Sequence, residues 1–393
     1  MPAGTQVFDP KVVYDHYTGH FVLAFLAYNG GQQKGWILVV SMTDAAADNP
    51  GTWCERRIRA DQLSGDGKQW ADYPGLGFDE SRITLTTNQF DFAGSQPFRY
   101  AQILSFTKSR VYDCSQDLSF KLFTGDETRN PDGTRGFTIQ PAVTVGEDAT
   151  SQYLLSFRRE GTSGSSLTLW RLEVTGGKLR LSAASMPSGR VDPAPYGTQG
   201  GGRVKGPNAA DTWWDTGDLR LINAFHDAEL DRVYAVHAVG KDLKPDPISG
   251  GYLESVVRWY EVNPGKPLSS SSISRKGIVG TPETDAGWPV VATDGSGNLF
   301  VAYSRASAVM DEFLSAWAAD IPPGETAESA TLLAAGEARF DASVGPERWG
   351  DYNGISRDPL MPSLIAIVNQ YAASDGAGPT ADWQQTVDVV DHL

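Results

Sequence analysis

A chain of 393 residues with 40% hydrophobic and only 21% charged residues can bury one large core or two ordinary ones. Its 42 glycines, 23 prolines, 11 tryptophans and 14 tyrosines suit many short strands and tight turns rather than a helical bundle. A net charge of −15 spread along the chain sets nucleic acid and anionic membrane surfaces aside as partners, and no apolar run approaches the roughly 18 residues that a membrane span needs.

Strand-like segments then come in a repeated order. "FDPKVVYDHYTGHFVLAFLAYNG" is followed by "GWILVVSMTD", and "WADYPGLGFDESRITLTTNQF" by "FRYAQILSFTK". A third passage, "TIQPAVTVGEDATSQYLLSFRREG", leads into "SLTLWRLEVTGGKLRLSAA". The fourth, "DTGDLRLINAFHDAELDRVYAVHAVG", reaches "SVVRWYEVN" across a Gly/Pro-rich loop, and the fifth joins "AGWPVVATDGSGNLFVAYSRAS" to "FLSAWAAD". The last begins "RWGDYNGISRDPLMPSLIAIVNQYA" and ends in "DWQQTVDVV". The openings at Asp9, Asp72, Gln140, Leu219, Trp288 and Asp351 lie about 60 to 80 residues apart, on the long side for propeller blades.

First strands such as "PVVAT" and "LINAF" are apolar at consecutive positions, as strands buried on both faces must be, whereas later strands alternate. Turn formers in "YDHYTGH", "HDAELDR" and "TDGSGN" separate first from second strands. The expected fold is all-β, a single six-bladed β-propeller over residues 1–393 with blades of mostly four antiparallel strands; tandem β-sandwiches are the alternative. The segment before Phe8 is expected to add a strand to the sixth blade and close the ring.

The passages "DPKVVYD", "WADYPGLG", "QPAVTV", "DTGDLRLINAF", "LAAGEARF" and "RWGDYNGISRDP" resemble a group of bacterial secreted six-bladed propeller proteins of mostly unassigned function. At greater distance the architecture is similar to the sialidase-like superfamily. The Asp-box pattern Ser-x-Asp-x-Gly-x-x-Trp is missing, however, so that resemblance implies propeller geometry and no catalytic residue.

In a propeller, the starts of first strands and the ends of second strands crowd one mouth of the central channel. Asp72 and Asp351 are candidate acid and base at a glycosidic bond. Their recurrence within the same Asp-Tyr step also suits an architectural role, with the carboxylate capping backbone N–H groups. The residues that do not repeat are therefore the sharper candidates: Arg158, Arg220 and Arg305 to clamp a substrate carboxylate, and His237 with Tyr371 to abstract a proton beside a uronate carboxylate. Gln140, Asn88 and Trp288 complete the rim, and Trp213 with Trp214 offers a stacking platform on a long loop over the mouth. Each has a structural counterpart reading: inter-blade ion pairs, a core histidine, or tryptophans that pin the loop.

No metal-ligand spacing, nucleophile elbow, phosphate loop or dinucleotide fingerprint is present, and no cofactor is expected. The pair Cys54 and Cys114 can form one disulfide or stay as two buried thiols. The start "MPAGTQVF" is too short and polar for a signal peptide and suits a mature secreted or periplasmic domain. The resulting expectation is a monomeric glycan-active enzyme, a glycoside hydrolase acting on an acidic saccharide. The alternatives are a polysaccharide lyase on uronates and a non-catalytic propeller that binds glycan or protein.

Overall fold

The computed structural model describes all residues except 47, 64, 148, 162, 199–212, 244–252, 327–328, 342–345, 375–379 and 392–393. Strands pair with their chain neighbours, so the fold is a succession of antiparallel meanders. The first consists of β1 (Gln6–Asp15), β2 (His20–Asn29), β3 (Lys34–Thr43) and β4 (Cys54–Arg59). The second holds β5 (Gln69–Phe78), β6 (Arg82–Asp91), β7 (Phe98–Thr107) and β8 (Lys121–Phe123), with the short helix α1 (Lys108–Tyr112) before β8. The third runs through β9 (Gln140–Val145), β10 (Gln152–Glu160), β11 (Ser163–Thr175) and β12 (Lys178–Val191).

A two-stranded pair follows, β13 (Gly197–Thr198) with β14 (Trp213–Trp214). The fourth meander is β15 (Asn223–Asp227), β16 (Arg232–Lys241), β17 (Glu254–Asn263) and β18 (Ser272–Val279). The fifth is β19 (Asp285–Thr293), β20 (Leu299–Ser307), β21 (Glu312–Ile321) and β22 (Ser329–Ala334). In the sixth, β23 (Arg339–Phe340) comes first in the chain yet sits outermost, parallel to β26 (Thr380–Val390), while β24 (Gly354–Arg357) and β25 (Ile365–Ser374) lie inside it.

The leading strands β5, β9 and β15 lie side by side and point the same way. Phe78 of β5 is opposite Val143 of β9, and Ala224 of β15 opposite Ala142 of β9, both in parallel register. Such close approach needs a missing side chain: a Cβ on Gly77 would strike the Ala142 carbonyl, which accounts for the "YPGLGF" spelling of β5. The leading strand β19 is buried along its whole length, as its consecutive apolar residues require. Between the fourth, fifth and sixth meanders the core is aromatic, with Trp214, Trp259, Trp288, Phe300 and Trp349 in one cluster.

Two open points of the sequence are settled here. Cys54 of β4 and Cys114, after α1, form a disulfide with Cα atoms 5.5 Å apart, which fastens the first meander to the second. The expected exchange of a strand between the two ends of the chain does not occur. Among the described residues β1 pairs only with β2, and the fourth strand of the last meander is β23. Gln6, Val7 and Phe8 instead pair with Tyr28, Ala27 and Leu26, so this segment extends the first meander rather than crossing to the last. One consequence is that Val7 and Val12 of β1 stay largely exposed, unlike their counterparts in β19.

Candidate active site

Three leading strands carry the same irregularity near their start. In β1 the register passes from Phe8↔Leu26 to Lys11↔Ala24, so Asp9 and Pro10 together oppose one residue. In β5, Tyr73 and Pro74 fill the gap between Asp72↔Asn88 and Gly75↔Thr86; in β19, Trp288 and Pro289 fill the gap between Gly287↔Ser304 and Val290↔Ala302. Asp9, Tyr73 and Trp288 all take left-handed φ angles, of 54°, 50° and 50°. A bulge leaves one residue unpaired and re-aims its side chain, and proline suits the position because it has no N–H to leave unbonded. Holding a non-glycine residue there costs on the order of 1–3 kcal/mol, a kind of strain that gathers at functional sites.

The three bulges meet around a cavity of about 220 Å³. The first meander contributes Asp9, the second Asp72 and Tyr73, and the fifth Trp288. Asp215, Gly217, Asp218 and Arg220 enter from the segment before β15, and Arg348 and Asp351 from the segment before β24. Five carboxylates therefore share one small space with two guanidiniums.

Each guanidinium is already engaged. Arg220 grips Asp218 through Nε and Nη2 at 2.8 and 3.0 Å and lies over the Tyr73 ring at 4.3 Å. Arg348 is ion-paired with Asp351. Asp218 is held below the usual carboxylate range by Arg220, which outweighs the burial that would raise it. Asp215 caps its own loop by accepting from the Gly217 N–H at 2.9 Å, and its carbonyl accepts from Trp288 Nε1 at 2.6 Å.

The other three carboxyls have weaker support. Burial raises Asp72 to about 6, the Asp9 charge adds to the rise, and Arg220 only partly opposes it. Burial likewise raises Asp9, against a 3.2 Å hydrogen bond from the Tyr73 N–H and the pull of Lys11 and Arg348. Burial raises Asp351 too, and its buried Oδ1 lacks a hydrogen bond. The buried hydroxyl of Tyr73, a cavity-lining residue, has no partner either. Like charges this close favour keeping one proton among them, and Asp72 is the group that holds it most firmly.

Of the residues singled out in the sequence, Asp72, Asp351, Arg220 and Trp288 line this one cavity. The others lie elsewhere. Arg158 is ion-paired with Asp132, and Arg305 binds Glu312 at 3.0 and 3.1 Å while stacking 3.3 Å over Trp317. Asn88 exchanges two hydrogen bonds with Thr138, and Gln140 is buried in β9. His237 is fully enclosed, with Nδ1 3.0 Å from the Leu219 carbonyl and Nε2 3.0 Å from the Tyr260 hydroxyl, and burial lowers it to about 4. Tyr371 bonds Gln384 on the sixth meander. Trp214 is buried; Trp213 is exposed and stacks on Tyr196, while residues 199–212 of the loop expected over the mouth lie outside the described residues.

The entrances to the leading strands are legible in the sequence and the ends of second strands are not, because Asn88, His237, Arg158 and Arg305 are taken up by Thr138, Leu219 and Tyr260, Asp132 and Glu312. Asp215 and Arg348 escape such a reading since both lie in irregular segments before their strands. At the three bulges the sequence reads Asp9-Pro10, Tyr73-Pro74 and Trp288-Pro289, an acid or aromatic directly before proline near the head of the leading strand.

No protein-family model and no curated protein sequence matches the chain. Among solved structures, a protein of unknown function from Dyadobacter fermentans is similar at 9% identity and a TM-score of 0.49, over 99% of this chain and 100% of that one. The GH93 α-L-arabinofuranosidase of Fusarium graminearum, in complex with arabinobiose, is similar at 13% identity and 0.45, over 98% and 95%. The NanB sialidase of Streptococcus pneumoniae follows at 9% and 0.47, over 92% of this chain and 65% of its own. Likenesses this distant leave the activity to be argued from the cavity itself.

Proposed function

We propose that the six meanders close as a six-bladed β-propeller and that the protein is a secreted glycoside hydrolase whose active site is the cavity at the heads of the leading strands. The observation that carries this reading is the single cavity that brings Asp72, Asp9 and Asp351 together; burial and the Asp9 charge there raise Asp72 to about 6. An acid that keeps its proton near neutral pH can give it to a glycosidic oxygen as the anomeric C–O bond breaks. Asp351 then serves as the second carboxylate, either taking the proton of the incoming water or attacking the anomeric carbon, according to its separation from Asp72. Asp9 supplies the charge that keeps the proton on Asp72. The disulfide suits an oxidising compartment.

Charge and volume narrow the substrate. The arginines singled out in the sequence favour an acidic saccharide, but five carboxylates against two paired guanidiniums repel a uronate and favour a neutral sugar. A volume of about 220 Å³ lies below the roughly 300–1,000 Å³ of drug-sized sites and suits one terminal sugar ring. His237 and Tyr371, the residues read from the sequence for a uronate lyase, do not line the cavity.

The test is a screen of aryl glycosides and polysaccharides, neutral and acidic, for released sugar. Turnover of a neutral terminal sugar is expected, with kcat/KM falling about 10²–10⁴-fold in Asp72→Asn without any fall in melting temperature. Folded protein that hydrolyses nothing in the panel, or an Asp72→Asn variant as fast as the parent, would overturn the reading.

A further inference from the structure

Lys11 follows the first bulge directly, and its half-buried side chain reaches across to the sixth meander. The ammonium lies 4.0 Å over the Tyr352 ring and 6.0 Å from the centre of the Tyr73 ring; those two rings are 5.7 Å apart. It makes no hydrogen bond or ion pair among the described residues. An enclosed cation laid against π systems without a hydrogen bond is costly to keep unless its field is used.

The groups around it show where that field falls. From its own strand Asp9 acts on it, and from the segment before β24 Asp351 does. Arg348 acts as a second cation on both Asp9 and Asp351, and Tyr352 acts on Asp9. From β5 come Tyr73 and Asp72, and behind Tyr73 stands the Arg220–Asp218 pair. Desolvation brings the Lys11 ammonium down to about 8, so it is still charged at neutral pH.

We propose that Lys11 is a positioning residue of this site, whose ammonium, laid against the Tyr352 and Tyr73 rings beside Asp9 and Asp351, fixes which carboxyl of the Asp9/Asp72 pair carries the shared proton. A cation on the Asp9 side stabilises Asp9 as carboxylate, and the proton stays on Asp72. Without it both acids are desolvated and Asp9 competes for the proton, which leaves the acid in the wrong place. The inference rests on the hydrolase reading for its consequence in catalysis, but not for the order of titration.

That order can be measured on the full-length protein by following ¹³C-labelled aspartate carboxyls between pH 4 and 8, with Asp9→Asn and Asp72→Asn to assign the signals. In the parent, Asp72 is expected to titrate last of the pair. In Lys11→Met the late step should move to Asp9, and Lys11→Arg should restore the parent order. Lys11→Gln reads the same loss of charge should methionine disturb folding. Where a substrate is found, Lys11→Met should lower kcat about tenfold or more, the equivalent of one pKa unit of displacement, with little change in KM. An unchanged order in both neutral variants overturns the proposal even if the protein is an active hydrolase. A moved order in a protein that hydrolyses nothing upholds the role of Lys11 and sinks the hydrolase reading instead.

Discussion

Where β15 ends, Asp227 accepts from the N–H groups of Glu229 and Leu230, from the Thr293 hydroxyl at 3.0 Å and from Arg357 Nη1 at 2.8 Å. Asp15, at the end of β1, is bonded just as fully by Lys108 at 2.7 Å and by the hydroxyls of Thr18 and Tyr112 at 2.6 Å. Where β5 begins, Asp72 sits beside two more carboxylates, and its proton is stabilised rather than its charge. The same residue type therefore closes hairpins at one end of the leading strands and stores unfavourable electrostatics at the other. Both ends are equally rich in aspartate, so the difference lies in what surrounds each carboxylate and not in composition.

Substitutions should separate the two ends by sign. Asp227→Ala removes one partner of the buried Arg357 pair and is expected to destabilise by about 3–5 kcal/mol, visible as an early urea midpoint. Asp72→Asn should do the reverse. With a folded pKa of about 6, above the ordinary value, Asp72 binds its proton more tightly in the native state, so its contribution is favourable below about pH 4 and is lost as pH rises through 6. Parent stability should lose on the order of 2–3 kcal/mol across that window from this group, and the asparagine variant should not show that loss. Calorimetry at pH 4 and pH 7 checks both signs. The smallest effect belongs to Asp358, whose Oδ1 accepts from Leu360 and Met361 N–H groups at the surface; its alanine variant should lose about 0.5–1.5 kcal/mol and no activity.

These two ends were unequally legible in the sequence. Hairpin aspartates announce themselves in "YDHYTGH", "HDAELDR" and "TDGSGN", where an acid stands ahead of turn formers and its bonds are made within a few residues. The heads of the leading strands are visible as openings, and Asp72, Arg220, Trp288 and Asp351 emerge from them. What sequence cannot supply is the company each keeps. Arg305 and Arg158 read like substrate clamps until Glu312 and Asp132 are seen beside them, and Lys11 reads like an ordinary polar position of a strand. Pairing across meanders depends on segments far apart in the chain, and no local pattern encodes it.

The missing shared strand between the first and last meanders has its own consequence. A ring whose end sheets exchange a strand is latched by backbone hydrogen bonds that no ligand can influence. In the six-bladed reading, the disulfide instead rivets the first two meanders together, and the join between first and sixth falls to Lys11, Asp9, Tyr352 and Asp351. These are cavity residues or their immediate neighbours. A sugar held among them would therefore act as the clasp of the whole disc, so that occupancy of one small site is felt as stiffness throughout the molecule.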